Sequence, residues 1–183
     1  TVATLPLIPA VVDAVAPTPV VAAGGIADGR GLAAALALGA SGVWIGTRFL
    51  MSDEALVHPR YQEMISEASE ADTVHTELFD VGWPNAPHRV LLNKTYKAWV
   101  DAGKPASGNR PGEGEAILTS PIFGEIVRYR SFTPAADASG DIDAASLWAG
   151  QSAGLTKQKM PAAEIISEIV DDAERILQRL ATR

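Results

Sequence analysis

The 183-residue sequence is 47% hydrophobic and 20% charged, the proportions of a folded domain, and its length suffices for one ordinary core without requiring a second. Asp and Glu outnumber Lys and Arg 22 to 15, for a formal charge of −7; with no basic cluster, nucleic acid is not an expected partner. The absence of cysteine removes disulfides, thiolate metal ligands and cysteine nucleophiles and suits a reducing compartment, so a cytoplasmic location and no metal site are expected.

Residues 5–15, "LPLIPAVVDAV", predict a short helix with Pro9 in its first turn and Val11, Val12 and Val15 on one face. "PTPV" then resets the chain, because a proline disfavours helix in the residue before it. "PVVAA" is a brief apolar run ending at Gly24-Gly25; without polar alternation it reads as a strand buried on both faces, hence part of a parallel sheet. Asp28 is placed to cap a helix over Gly31–Leu38 that Gly39 ends. "SGVWIG" is the next buried strand, so residues 20–50 read as strand, helix, strand, a right-handed crossover by default. The nearly apolar run from Leu32 to Ile45 falls short of the roughly 20 residues a membrane helix needs and is interrupted by Gly39, Ser41 and Gly42, so no membrane association is expected. The first residues carry no basic region followed by an apolar one, so no signal peptide is read there.

Beyond Leu50 the pattern changes. A helix is predicted from Pro59, with Tyr61, Met64, Ile65 and Ala68 on one side. "TVHTELF" alternates like a strand, and "APHRVLLNKTYKAWVDAG" reads as an extended entry into a helix ended near Gly103. "GKPASGNRPGEGEA" is loop by its Gly and Pro content, and a second small-residue loop spans Thr133 to Gly140. The last stretch, opened by Pro161, is the clearest helix, striped by Ile165, Ile169, Ala173, Ile176 and Leu180, with Asp171 and Arg175 as an i,i+4 pair.

Parallel α/β folds place their working loops at the C-terminal ends of the strands. Gly24-Gly25 and Gly46-Thr47 both fall there. Glycine lets backbone approach a ligand, and successive N–H groups beside a helix N-terminus form an anion nest, so two neighbouring nests can share one phosphate with the Thr47 hydroxyl as a further donor. The same glycines would also serve tight turns and close helix–sheet packing. His58, His75 and His88 read as surface or structural residues; "ISEASEAD" and "EIVDDAE" read as solvated helix faces, Asp28 as a cap and Arg30 as surface.

The string "PVVAAGGIADGRGLAAALALGASGVWIGTRFL" closely resembles the segment of the nitronate monooxygenase (2-nitropropane dioxygenase) family that carries strands seven and eight of an FMN-binding barrel. The resemblance continues through "RPGEGEAI", "WAGQSAGL" and "PAAEIISEIVDDAERIL". It implies an α/β fold, the C-terminal part of a (β/α)8 TIM barrel with a mainly helical C-terminal extension. The implied parts are residues 1–50 as the last barrel strands and helices, 51–145 as a helical/extended insertion-like region with Gly/Pro-rich loops, and 146–183 as a flavin-proximal loop and closing helix. Ala23, Gly24 and Gly25 correspond to the first FMN-phosphate loop and Gly46 and Thr47 to the second, while Gln151 and Ser152 match a segment near the flavin. The implied reaction oxidises an alkyl nitronate with dioxygen to a carbonyl compound and nitrite. The family's catalytic histidine belongs to a "GGH"-type motif in an earlier part of the barrel; the present sequence has no such motif, so no catalytic residue is assigned. The expected partners are the nitronate, dioxygen and the N-terminal portion of the barrel, with self-association through exposed apolar surface a further expectation.

Flavin-dependent enoyl-acyl-carrier-protein reductases share much of the long string, so enoyl-thioester reduction is a rival reading. A non-catalytic half-barrel and a phosphosugar-type barrel enzyme are two others.

Overall fold

The computed structural model describes residues 2–182. The chain divides into two compact units, one built from residues 1–55 and 155–183, the other from residues 56–154.

The first unit opens with helix α1 (Thr4–Val15). It starts early enough that Pro9 lies inside it rather than in its first turn, and Ile8 and Val12, not Val15, face the core. The Ala16–Pro17 peptide bond that follows is cis. Strands β1 (Val21–Ala23) and β2 (Gly42–Trp44) pair in parallel, with Val21 opposite Gly42 and Ala23 opposite Trp44. Between them runs α2 (Gly29–Ala37), capped by Asp28 and followed by Gly39 at φ +94°. Ile8, Ala22, Ile26, Ala35 and Ala40 form the core, flanked by Val12, Leu38, Val43 and Ile45.

The sheet is covered on one face only, unlike the expectation of strands buried on both. Alternation along a strand sends Ala22 inward and its neighbours to the opposite face, and there Val21 and Trp44 are 57% and 74% exposed. After β2 a 3-10 helix spans Thr47–Met51. The closing helix α5 (Ala162–Ala181) packs on α2 through Ile165, Ile169 and Ala173. At its far end Leu180 is exposed despite its place in the stripe. Arg175 pairs with Asp172 at 3.1 Å, one residue short of the expected Asp171 partner.

Gly29 explains the tight crossing of these helices, and Gly31 the close fit of α2 to the turn before it. A Cβ on Gly29 would lie 2.5 Å from the Ala173 nitrogen and 2.6 Å from the Asp172 Cβ, and one on Gly31 would lie 2.9 Å from Ile26. Small residues let the axes approach.

The second unit holds α3 (Pro59–Glu67) and α4 (Lys94–Asp101). It also contains an antiparallel pair, β3 (Thr73–Thr76) with β4 (His88–Leu91), and a sheet in which β5 (Ala116–Ser120) lies between β6 (Gly124–Val127) and β7 (Ser139–Gly140). Its sequence reads as helical and extended, and strands are as prominent in it as helices. The β5–β6 hairpin is not announced by its sequence, because "LTSPIFGEIV" pairs through a Pro-Ile-Phe tip that lacks a standard two-residue turn signal. Leu78, Phe79, Val90 and Tyr129 form its core, with Val74, Tyr96 and Trp99 packed around them. No helix among the described residues is long and apolar enough to cross a membrane.

Candidate functional site

Parallel pairing sets the geometry of the site. Because Ala23 lies opposite Trp44 at the last paired position, the chain leaves both strands on the same side, and the turns that follow are neighbours. Gly24 and Gly25 take φ of +98° and +75°, a region that glycine enters without the cost an L side chain meets. At Gly25 a Cβ would meet nothing within 4 Å, while at Gly24 it would approach the Thr4 hydroxyl at 3.3 Å.

Gly46 is different. Its φ and ψ of −99° and −69° suit any residue, and the space where its Cβ would stand is empty. Neither backbone conformation nor internal packing therefore requires glycine at this position. A residue whose only contribution is open space beside a neighbouring turn is what close approach of a bound group would call for. Thr47 follows as the first residue of the 3-10 helix and is buried.

A buried arginine holds this second turn. Arg48, 6% exposed, donates from Nη1 to the Gln158 carbonyl at 2.9 Å; its Nη2 lies 3.3 Å from the Met160 sulfur and 3.6 Å from a Glu168 carboxylate oxygen. Main-chain bonds from Met160 N to Met51 O (3.2 Å) and from Asp53 N to Met160 O (3.1 Å) complete the attachment. Sequence reading passed over Arg48 because the groups that neutralise it lie more than a hundred residues away.

The helix that follows the first turn is already occupied at its N-terminus. The Asp28 carboxylate accepts from the Arg30 and Gly31 backbone N–H groups at 3.1 and 3.2 Å, and Arg30 Nε donates to it at 2.8 Å. Burial pushes the Asp28 carboxyl up, but these hydrogen bonds outweigh it and hold the group below its ordinary value. The expected assistance of the α2 N-terminus to an anion is thus reduced: two of its donors serve Asp28.

Ala23, Gly24, Gly25, Gly46 and Thr47 all lie in the first unit. Gln151 and Ser152 belong to the second, at the start of a 3-10 helix (Gln151–Leu155), where Gln151 is exposed and Ser152 buried. The glycine of that stretch has a packing reason: a Cβ on Gly154 would lie 2.6 Å from a Glu70 carboxylate oxygen and 2.8 Å from the Glu70 nitrogen.

The three histidines differ in their surroundings. His58 caps α3, its Nδ1 accepting from Arg60 N at 3.0 Å, and His75 is exposed on β3. His88, by contrast, is buried among aromatic rings. The Gly/Pro-rich loop is ordered by Arg110, which donates to the Leu78 carbonyl at 3.1 Å, to Asp80 at 2.8 Å and to Glu113, and lies 4.2 Å over the Tyr129 ring. No cluster of His, Asp or Glu suited to a metal ion occurs among the described residues.

A family profile for nitronate monooxygenase matches residues 1–172. The chain is 36% identical over 185 positions to a nitronate monooxygenase of Metarhizium robertsii, covering 95% of this chain and 47% of that protein. It is 35% identical to a "probable nitronate monooxygenase" of Staphylococcus saprophyticus, covering 97% and 45%. Among solved structures it resembles FabK of Thermotoga maritima, with a TM-score of 0.71 and 31% identity over 100% of this chain and 52% of that one. It also resembles the nitroalkane oxidase of Streptomyces ansochromogenes, with a TM-score of 0.66 and 25% identity over 97% and 45%. The chain spans less than half the length of these two curated relatives.

Proposed function

The chain belongs to the nitronate monooxygenase family, and from that premise we propose that it forms the phosphate-holding end of the flavin site in an oxidoreductase that oxidises alkyl nitronates with dioxygen. On this reading β1 and β2 are the last two strands of a (β/α)8 barrel. Their uncovered face and free edges support membership of a larger sheet, because lone parallel pairs are rarely stable alone.

Gly46 is the observation that carries the proposal: a glycine that neither its dihedral angles nor its neighbours require, at the end of a strand whose parallel partner also ends in glycines. The turn formed by Ala23, Gly24 and Gly25, and that formed by Gly46 and Thr47, would hold the FMN phosphate from two sides with backbone N–H groups and the Thr47 hydroxyl. The Arg48 anchorage fixes the second turn before any ligand arrives, which lowers the ordering cost of binding. Gln151 and Ser152 would approach the flavin, a role supported by their resemblance to the family's segment. Bound FMN would supply the redox chemistry that the side chains of this chain lack.

FMN and riboflavin, titrated separately into the purified protein and followed by quenching of flavin fluorescence, test the phosphate site. FMN is expected to bind more tightly than riboflavin, with Gly46→Ala removing most of the difference. Equal affinities, or a Gly46→Ala variant that keeps the preference, would overturn the assignment. For the reaction, this chain supplies the phosphate loops but not the catalytic base, so oxygen uptake on adding an alkyl nitronate is expected from the flavin-loaded protein only when it is combined with the N-terminal portion of the barrel. Consumption of NAD(P)H with an enoyl thioester would instead favour the reductase reading.

A further inference from the structure

His88 begins β4, with Thr76 of β3 as its cross-strand neighbour. Its ring centroid lies 4.6 Å from that of Trp148, 6.0 Å from Phe79 and 6.4 Å from Trp83, whose ring stacks on it at an interplanar angle of 14°. Trp83 and Trp148 also meet, at 5.4 Å. His88 is 6% exposed and Trp83 50%, so Trp83 covers the histidine from the solvent side.

The hydrogen bonds fix the state of the ring. Nδ1 lies 2.7 Å from the Ala86 carbonyl oxygen, which can only accept, so Nδ1 carries the proton. The lone pair of the neutral ring therefore resides on Nε2, which is buried and finds no hydrogen-bond partner among the described residues. Protonation would create a second N–H and a full charge where no acceptor is present.

Two contacts of this ring, the stacked Trp83 and the Ala86 carbonyl, belong to residues 80–87. That segment is otherwise tied by Trp83 N to Asp80 O at 3.0 Å, by main-chain bonds between Val81 and residues 129 and 131, and at its start by Arg110 Nη1 to the Asp80 carboxylate at 2.8 Å. We infer that His88 is an acid-sensitive latch: neutral, it holds the segment 80–87 closed over the aromatic cluster, and on protonation it releases that segment and exposes Trp83, Trp148 and its own ring.

Burial is the largest influence on His88 and disfavours its charge, and the exposed His75 on β3 acts in the same direction. The Ala86 hydrogen bond, Glu77 and Asp80 act the other way. The net effect holds the group below its ordinary value. A histidine whose folded value is depressed contributes closure that is complete above the ordinary value and is lost as pH falls through the folded one.

Deuterium exchange of the amides in residues 80–88, corrected for intrinsic rates, measures the latch in the full chain between about pH 8 and about pH 5. Protection is expected to fall by up to about tenfold for each pH unit between the ordinary histidine value and the lower His88 midpoint, and to level off below that midpoint. It should be independent of pH in His88→Phe, which keeps a ring but cannot titrate, and should persist unchanged in His75→Gln. Should His88→Phe fail to fold, the imidazole nitrogen shifts of the parent protein decide. The latch requires an Nδ1–H tautomer whose midpoint coincides with the pH at which the loss of protection levels off. Uniform protection across the range, pH dependence that survives in His88→Phe, or a tautomer protonated at Nε2 would overturn the inference.

Discussion

Replacing Gly29 with alanine tests the account of how α2 and α5 come together. The added Cβ would stand 2.5 Å from the Ala173 nitrogen, 2.6 Å from the Asp172 Cβ and 2.8 Å from the Asp172 carbonyl carbon. Two of these neighbours are backbone and cannot rotate away, so the helices must separate by about 1 Å to restore ordinary contact. Overpacking of this kind costs about 1–3 kcal/mol. Exchange of glycine for alanine in a helix returns at most about 1 kcal/mol, and less in the first turn. A net loss of about 1–2 kcal/mol is expected, which at a urea slope of roughly 1–2 kcal/mol per molar lowers the unfolding midpoint by about 1 M. Urea unfolding followed by far-ultraviolet circular dichroism reads the loss, and amide exchange along α5 locates it. Gly46→Ala is the matched control, because its Cβ enters open space in an ordinary backbone conformation. That change should be neutral or stabilising by up to about 1 kcal/mol. If Gly29→Ala proves as stable as the parent, or the two variants lose equal stability, the packing argument fails.

Asp28→Ala removes a carboxylate that accepts two backbone N–H bonds, and a loss of about 1 kcal/mol is expected in the same unfolding assay. Arg110→Lys keeps the charge but loses the planar fork that reaches Leu78, Asp80 and Glu113 at once, so roughly 2–4 kcal/mol should be lost from the second unit by thermal or urea melts. Hydrogen bonding from Arg110 outweighs desolvation and holds Glu113 at about 2. Its depressed value means that the contribution is complete above the ordinary carboxylate range and is lost as pH falls toward about 2. Acid titration by carboxyl-carbon NMR should find Glu113 ionised after other glutamates have protonated, and Arg110→Lys should raise its midpoint.

Local signals carried the elements whose causes are local. Asp28 before "GRG", Pro59 after His58 and Gly39 after Leu38 each state a cap or a stop, and the structure puts helices between them. The two glycine turns were legible for the same reason: a buried parallel strand announces its end by the residues that follow it. What the sequence could not indicate depends on partners distant along the chain. Arg48 is neutralised by residues near 158–168, His88 is enclosed by Trp83 and Trp148, and the β5–β6 hairpin turns at a tip with no strong turn residue pair. The exposure of Trp44 was likewise hidden, because an apolar run records what a strand is suited to face, not whether that neighbour is present.

The first unit is assembled from two stretches of chain separated by residues 56–154. On a ribosome, α1, β1, α2 and β2 emerge long before α5, so Ala173 and the Gln158 carbonyl do not exist when Gly29 and Arg48 leave the exit tunnel. The nascent strand–helix–strand piece must wait with its α5-facing surface bare and the Arg48 guanidinium unpaired, while every contact needed by the intervening unit is already available to it. Order of synthesis therefore favours maturation of the intervening unit first and closure of the glycine-turn unit last. Emergence of α5 is the step that ends the vulnerable interval.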